Sequence, residues 1–338
     1  MPSWPRDPRW RWLRPLPARI LQYALVIFAA AVINFALPRL APGNPVDFLA
    51  PPEMAGVLTA EQRTRLLAQY GLDQPLAVQF QLYLTGLLHG DFFTSVRFGQ
   101  PVADLIAERL PWTLLLVGSS TLLAVLVGTW AGFRSGWRRG SKSDAAALAL
   151  FMLIDSTPAF FVGMLLILLF CVHLRWFPAF GAMPLLASGG WALFWEVAQR
   201  LALPLLTTTL SSLGVAFLVA RSATVSELGE DYVFLGHAKL EPERVRRHAA
   251  RNALLPVWTN AMLALGYMAG GATVVETVFS YPGLGRLIYE SVIAHDYPVI
   301  QGGFFVLTLT VVAANFIADL FSPLFDPRLR RQGSASHG

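Results

Sequence analysis

The chain of 338 residues is 55% hydrophobic and only 14% charged, and its mean hydropathy is +0.52. Soluble proteins carry roughly 25% charged residues, so this composition excludes an ordinary soluble domain and indicates a membrane protein. The only cysteine, Cys171, excludes a disulfide framework.

The apolar segments predict six membrane-spanning helices, because about 20 apolar residues cross the hydrocarbon core and lipid offers no partner to an open strand edge. They lie near residues 19–40, 111–133, 145–173, 201–220, 257–279 and 303–325. We therefore expect one all-α membrane domain over residues 19–325, preceded by an arm at 1–18 and followed by a tail at 326–338. The first apolar stretch exceeds the roughly 7–15 residues of a signal-peptide core, and we interpret it as uncleaved.

The basic residues predict the orientation of these spans. Of the 26 Lys and Arg residues, 18 lie in the N-terminal arm up to Arg19, the loops 134–144 and 221–256, and the tail. Under the positive-inside rule, both termini and these two loops are cytoplasmic, whereas residues 41–110, 174–200 and 280–302 lie outside. The isoelectric point near 9.6 therefore reflects topology, and we expect no nucleic-acid binding.

The long outer loop is expected to be structured. Thr59 and Gln62 have capping-box spacing, which predicts the start of one short helix. A second helix is expected to be capped by Asp73 and to end at Gly90, and its apolar stripe either lies on the outer membrane surface or packs onto the bundle. Pro101 is expected to open a third helix that continues into the second span.

Two short patterns concern nucleotide binding and helix packing. The inner loop 134–144 contains GSKS, but it lacks the glycine spacing and Lys position of a phosphate-binding loop, so we expect no ATP site in this chain. The pairs Gly128/Gly132 and Gly266/Gly270 have GxxxG spacing, which predicts close helix packing, either within the bundle or with a second subunit.

Three acidic residues, Asp155, Glu276 and Asp319, fall in or beside the apolar spans. An ionised carboxylate at the bilayer centre costs about 2.5–3.5 kcal/mol on insertion scales, so such residues face the bundle interior or a cavity. Asp155 precedes the helix-breaking Pro158. Its side chain either joins a local polar network there or contacts the solute, and the sequence leaves both alternatives open. Asp319 lies one turn after Asn315 and is expected to form an ion pair or a helix cap.

Glu276 is the strongest of these candidates for lining a solute route. It lies shortly before Pro282, Gly283 and Gly285, a segment that can bend where a regular helix cannot. We therefore predict that Glu276 faces a water-accessible cavity and that these residues belong to an outer gate.

The inner loop 221–256 reads RSATVSELGEDYVFLGHAKLEPERVRRHAARNALLP and is polar, helix-prone and basic at its end. A membrane bundle does not need an ordered charged helix at this place for its stability. We interpret the loop as a docking surface for a soluble partner. His248 has no second His or carboxylate at metal-ligand spacing, so we expect it to serve in docking or capping, and we predict no metal site.

Several stretches together resemble the permease subunits of ATP-binding-cassette importers of the dipeptide, oligopeptide and nickel branch. FALPRLAPGNPVDFL is similar to the exit of the first span in that branch, and GLDQPLAVQFQLYLTGLLHGDFFTS to its outer loop. EDYVFLGHAK followed by RHAARNALLP resembles the EAA coupling loop. VVETVFSYPGLG with DYPVIQGG, and ADLFSPLFDPRLR, resemble its last two spans. The resemblance covers nearly the whole chain.

The resemblance implies a type I importer permease fold in a bacterial inner membrane, with a second homologous permease, two ATP-binding subunits that hold ATP and Mg, and an extracytoplasmic solute-binding protein. This chain would hold no cofactor and catalyse no reaction, and the solute would be a peptide or a related compound. The residues that match the coupling motif are Glu230, Asp231, Tyr232, Ala238, Lys239, Arg247, His248, Arg251 and Asn252.

The chain departs from the family pattern at two places. Phe93 stands where the family usually has Gly. After Ala238 and Lys239 the usual Gly is absent and the loop is two residues shorter, so Pro242 is expected to supply a different turn and the docking angle is expected to change.

Two other functions remain open from the sequence. A metal-chelate or oligosaccharide importer of the same family would share these motifs. A proton-coupled secondary transporter acting through Glu276 or Asp319 would explain the buried acids but not the ordered inner loop, and inverted repeats would be expected for it. A membrane enzyme is not supported, since we find no nucleophile elbow or paired catalytic carboxylates.

Overall fold

The computed structural model describes residues 16–40, 59–69, 72–178, 181, 189–233 and 242–325, and the named elements in these ranges are helices. The predicted all-α class is confirmed for this part of the chain. In chain order the helices are α1 (Leu16–Leu40), α2 (Ala60–Gln69), α3 (Leu76–His89), α4 (Val102–Trp137), α5 (Lys142–Asp155), α6 (Ala159–Leu166) with a π-helical continuation (Ile167–His173), α7 (Trp191–Leu228), α8 (Pro242–Val278), α9 (Leu284–Ile293) and α10 (Tyr297–Phe325).

Four described helices are long and apolar enough to cross a membrane: Pro17–Leu37 within α1, Val102–Trp137, Trp191–Leu228, and Tyr297–Leu320 within α10. The bent pair α5–α6 makes a fifth crossing if it counts as one span. The predicted span 257–279 overlaps the second half of α8, which ends at Val278 and whose 37 residues suffice in length. The side chains of residues 265–271 fall outside the described residues, so the sixth crossing stays a prediction.

The predicted span 145–173 is two helices rather than one. α5 ends at Asp155, α6 begins after Pro158, and the two are bent by 95°. Pro158 has no N–H to continue a helix. The hydroxyls of Ser156 and Thr157 each donate at 2.8 Å to a main-chain carbonyl four residues earlier, which completes the last turn of α5.

The helices α4 and α7 cross at close range. A Cβ on Gly128 would lie 2.7 Å from the Cβ of Ala216, and one on Gly132 would lie 2.7 Å from the Cβ of Ala220. The first GxxxG pair therefore packs within the bundle, because only glycine lets the two backbones approach this closely. Gly266 and Gly270 lie in a part of α8 whose side chains fall outside the described residues.

The loop at residues 41–110, which is predicted to lie outside, contains helices where it is described. Thr59 N donates to Gln62 Oε1 at 2.9 Å and Gln62 N donates to Thr59 Oγ1 at 3.3 Å, so the predicted capping box is confirmed. Gly90 ends α3 with φ of +72°, also as predicted. The predicted cap at Asp73 is wrong, because α3 begins after Pro75, whose fixed φ suits the first turn of a helix.

α3 packs onto the bundle rather than standing apart from it. The ring of Phe80 lies 5.0 Å from that of Phe35 and 6.4 Å from that of Phe28, both on α1. Tyr83 of α3 is buried, and α4 begins directly after Pro101, as predicted. These contacts favour the packed alternative for the apolar stripe of α3.

Two apolar clusters set the position of α9 and of the turn before it. One joins the start of α4 to α9 and α10 through Val102, Leu105, Ile106, Leu284, Leu287, Ile288 and Val299. The other joins α4, α7 and the end of α8 through Leu116, Leu203, Val275, Phe279 and Tyr281. The α8–α9 turn is therefore held from both sides.

Candidate coupling surface and intramembrane polar sites

The two halves of the predicted coupling loop meet where α7 ends and α8 begins. α7 ends at Leu228, a helical turn follows at residues 231–233, and α8 begins at Pro242. Ala238 and Lys239, which were predicted as coupling residues, lie outside the described residues. Glu230, Asp231 and Tyr232 stand on the first half, and Arg247, His248, Arg251 and Asn252 on the second.

A small apolar cluster joins these halves. Val233 from the turn and Val245 and Ala249 from α8 are buried against one another. Trp137, at the end of α4, packs against this cluster. The guanidinium of Arg246 lies 5.4 Å from the centre of the Trp137 ring, which adds a cation–π contact. The base of the loop is thus fixed to the inner end of α4 as well as to α7.

A polar network reinforces the same junction. The hydroxyl of Tyr232 donates to Glu227 Oε2, and Asn252 Nδ2 lies 3.2 Å from both that oxygen and the Tyr232 hydroxyl. The ring of His248 meets the Tyr232 ring edge-on, with centroids 5.4 Å apart. Burial and the hydrogen bond with Glu227 raise the pKa of Tyr232 to about 12, so its hydroxyl keeps its proton near neutral pH. Three predicted coupling residues therefore share one network.

The remaining predicted residues form a charged rim around this fixed base. Glu230, Asp231, Arg247 and Arg251 are all exposed. Charged side chains held on a rigid base and left accessible to water are suited to contact a soluble partner through complementary charge. We call these four side chains, together with the fixed base beneath them, the coupling surface.

A second inner contact was not predicted from the sequence. Arg221 of α7 donates to Asp144 of α5 in a bidentate pair, Nε to Oδ1 and Nη2 to Oδ2, both at 2.7 Å. Ser135 Oγ and Gly140 N also donate to this carboxylate. The pair joins α4, α5 and α7 at the inner loop. Ser141 and Asp144 have the spacing of a capping box, a signal that could have identified this aspartate.

Glu276 lies inside the chain rather than in an open cavity. Its side chain is 0% exposed, so the prediction that it faces a water-accessible cavity is wrong for this structure. Thr113 Oγ1 donates to its Oε1 at 2.6 Å, and Arg286 N donates to its Oε2 at 2.9 Å. Leu284 N donates to Thr113 Oγ1 at 2.8 Å. Glu276 thus ties α8 to α4 and to the N-terminus of α9.

The two glycines after Pro282 are needed for this arrangement. A Cβ on Gly283 would overlap the Glu276 carboxylate, and one on Gly285 would lie 2.9 Å from Glu276 Oε2. The glycines therefore allow close approach of the α9 backbone to a carboxylate, which the partial positive charge of a helix N-terminus favours. The structure brings Glu276, Gly283 and Gly285 together as predicted, and their part in an outer gate stays a prediction.

The other intramembrane polar residues lie apart from Glu276. Asp155 is exposed at the bend after α5 and packs against Gly214 of α7, where an added Cβ would lie 2.7 Å from Asp155 Oδ1. Asp319 accepts a hydrogen bond from the Tyr23 hydroxyl at 2.8 Å, and its carbonyl accepts one from Arg19 at 2.7 Å. Asn315 and Asp319 line one cavity of about 260 Å³ between α1, α8 and α10.

A buried aspartate of the outer side was also missed as a site residue. Asp296 is 0% exposed and accepts hydrogen bonds from Ser95 Oγ, Arg97 N and, at the start of α10, Val299 N. It joins the turn before α4 to the turn between α9 and α10. Phe93, near this turn, has φ of +64°, a conformation that favours the Gly usual in the family at this position.

Comparison with known proteins agrees with these observations. Residues 124–331 match the family described as the binding-protein-dependent transport system inner membrane component, and the chain belongs to this family. It is a multi-pass permease subunit of an ATP-binding-cassette importer, as the resemblance implied.

Two relatives illustrate how far the similarity extends. The glutathione transport system permease protein GsiC of Salmonella choleraesuis (strain SC-B67) is 37% identical over 314 residues, which cover 92% of this chain and 97% of the relative. A protein of Brucella abortus (strain 2308) named "Putative peptide transport system permease protein" is 34% identical over 315 residues, which cover 92% of this chain and 97% of the relative.

Proposed function

We propose that this permease carries peptides across a bacterial inner membrane, with both termini and the coupling surface in the cytoplasm. Its relatives from Salmonella and Brucella are named as glutathione and peptide transport permeases, and glutathione is itself a small peptide. The family description supports delivery of the solute by an extracytoplasmic binding protein. The distribution of basic residues supports the orientation.

The proposed assembly contains a second homologous permease and two ATP-binding subunits, which hold ATP and Mg, so that this chain needs no cofactor. The observation that carries this proposal is the coupling surface, where Glu230, Asp231, Arg247 and Arg251 stand exposed on a base that is packed and hydrogen-bonded. A structural loop would not need both an immobile base and an accessible charged rim.

The mechanism follows from the way this base is fixed. The ATP-binding subunits would approach each other when they bind ATP and would draw the coupling surfaces of the two permeases together. Because the base is packed against α4, α7 and α8, displacement of the surface would rotate the bundle instead of bending the loop. The bundle would then open toward the outer side, where the binding protein releases the solute.

Vesicles that contain this chain with its neighbouring permease, ATP-binding subunits and binding protein test the proposal. We expect uptake of labelled glutathione or tri-alanine that requires ATP inside the cytoplasmic compartment. Uptake that follows an imposed proton gradient without ATP would instead identify a secondary transporter and would contradict the proposal.

A charge reversal tests the coupling surface itself. Arg247→Glu should lower solute-stimulated ATPase activity and uptake together, while the subunits still co-purify. The matched control is Arg65→Glu, since Arg65 is also exposed, with 78% of its side chain accessible, but stands on α2 of the predicted outer loop. Equal activity in Arg247→Glu and the control would remove the coupling assignment.

A further inference from the structure

A cavity between α4, α7 and α8 combines apolar walls with hydrogen-bonding side chains. Its volume is about 440 Å³, within the range of small-molecule sites. Thr121 contributes from α4, Ser211 and Ser212 from α7, and Asn260 from α8, and the remaining lining is aliphatic. Thr121 and Ser211 lie near the middle of their predicted spans, at the depth of the membrane where water is normally absent.

The four polar side chains differ in whether the protein satisfies them. The hydroxyl of Thr121 donates to the carbonyl of Val117 at 2.7 Å, and that of Ser211 donates to the carbonyl of Thr207 at 2.9 Å. The Ser212 hydroxyl and the Asn260 carboxamide make no hydrogen bond to any other residue within the described part of the chain. Both line the same cavity, so a group from outside the chain has to satisfy them.

We propose that Ser212 and Asn260 form a subsite for the main-chain amide groups of a peptide solute on its way through the membrane, an inference that rests on the proposed function. A carboxamide offers two donors and one carbonyl acceptor, and a peptide bond presents the complementary N–H and C=O. The described lining residues include no ionisable side chain, so the subsite as described recognises the peptide backbone rather than the charge of the solute's side chains.

The first arm of the test measures access from water. In the full transporter, Cys171→Ala removes the only cysteine of this chain, and Ser212→Cys then gives the chain one thiol, which lies in the cavity. A charged, water-soluble thiol reagent should modify this thiol, and tri-alanine should slow the modification several-fold. Leu153→Cys is the control, because Leu153 is an apolar side chain on α5 that is 68% exposed and should react little in lipid. A Ser212→Cys thiol that does not react in any state would overturn the subsite, since lipid or the second permease would then fill the cavity.

The second arm measures uptake of labelled tri-alanine in vesicles. Asn260→Leu combined with Ser212→Ala should lower ATP-dependent uptake about tenfold, the effect of losing roughly one net hydrogen bond. Ser119→Ala is the matched control, because its hydroxyl donates to its own helix outside this cavity. Wild-type uptake by the double variant would overturn the subsite while leaving the proposed function intact.

Failure of the proposed function gives a different result. Vesicles with the unaltered chain would then take up neither tri-alanine nor glutathione with ATP. The labelling arm decides the subsite in that case, because protection of the Ser212→Cys thiol by tri-alanine does not require transport, and loss of that protection would overturn the subsite as well.

Discussion

The two ends of the bundle, which the distribution of basic residues predicts to be outer and inner, are both held by carboxylates, but the donors to these carboxylates differ. At the outer end, Glu276 and Asp296 are fully buried, and the donors to them are hydroxyls and backbone N–H groups. At the inner end, Asp144 pairs with the guanidinium of Arg221, which keeps 20% of its side chain exposed. Glu227 accepts from Tyr232 and Asn252 beside the exposed coupling surface.

This difference assigns different mechanical properties to the two ends. A buried carboxylate whose partners are backbone groups can leave only if the helices that carry those groups move with it, so α9 and the α8–α9 turn behave as one unit with α4. Arg221 keeps part of its side chain in water, so the Asp144–Arg221 pair can be exchanged for hydration at a lower cost than a pair that is buried on both sides. We infer that the outer end moves as a block, and that at the inner end the Asp144–Arg221 pair exchanges more easily while the packed base of the coupling surface stays intact.

The largest expected effect comes from removing the outer carboxylate. Glu276→Leu leaves Arg286 N and the Thr113 hydroxyl without their acceptor in a buried site, and should lower the free energy of unfolding by about 3 kcal/mol. Glu276→Gln keeps one acceptor oxygen and should cost less. Thermal unfolding of the purified permease in detergent measures both variants.

The same two variants also distinguish a role of Glu276 in gating from its role in stabilising the fold. If Glu276→Gln is as stable as the parent but transports more slowly, the carboxylate acts in gating as well as in packing. Equal stability of Glu276→Leu and the parent chain would contradict the outer block.

Breaking the inner ion pair should have a smaller effect. Asp144→Ala leaves Arg221 without its bidentate partner, and we expect a loss of about 2 kcal/mol, below the usual figure for a fully buried pair because Arg221 still reaches water. The matched control is Glu61→Ala, since the Glu61–Arg65 pair is 77% and 78% exposed and should contribute almost nothing. Equal losses of stability in both variants would show that the Asp144–Arg221 pair contributes no more than an exposed ion pair.

The hydrogen-bond network at the coupling surface should weaken at strongly alkaline pH. Tyr232→Phe removes one hydrogen bond to Glu227 and should cost about 1 kcal/mol locally, visible as faster amide hydrogen exchange over residues 227–252. The pKa of Tyr232 is raised from 10.0 to about 12, so the protonated form is favoured when folded. Its contribution is therefore complete below pH 10 and is lost as the pH rises from about 10 to about 12.

The Tyr232→Phe variant is its own control for the pH effect. It should not show the part of the alkaline loss of amide protection that ionisation of this hydroxyl causes. If both chains lose protection over residues 227–252 in parallel between these pH values, another group is responsible.

Much of this architecture follows from local sequence signals. Hydropathy predicted the helices α1, α4, α7 and α10, and the capping box at Thr59 predicted α2, because these elements depend on short-range patterns. The family motif singled out residues of two chain segments, and the structure brings Tyr232 and Asn252 from these segments together. The sequence did not predict the bend of 95° at Pro158, since a proline alone does not fix how far a helix turns.

The polar contacts between residues far apart in the chain could not be predicted from the sequence. Glu276 was expected to face a cavity because a carboxylate in an apolar span is costly. Its carboxylate instead accepts hydrogen bonds from the hydroxyl of Thr113, 163 residues earlier, and from the N–H of Arg286 on the next helix. The Asp144–Arg221 pair spans 77 residues, and no spacing rule relates its two members.

The smallest expected effect tests the outer turn at Phe93. Phe93 has φ of +64°, where a residue with a Cβ is strained and glycine is not. Phe93→Gly and Phe93→Ala both remove the ring, so the difference in stability between the two variants reports the backbone strain at this position. We expect the glycine variant to unfold at the higher temperature, with an advantage of about 0.5–1 kcal/mol after the greater flexibility of glycine in the unfolded chain is included. An alanine variant of equal or greater stability would mean that the turn relaxes out of the left-handed region, and the outer end would then be less rigid than its buried carboxylates indicate.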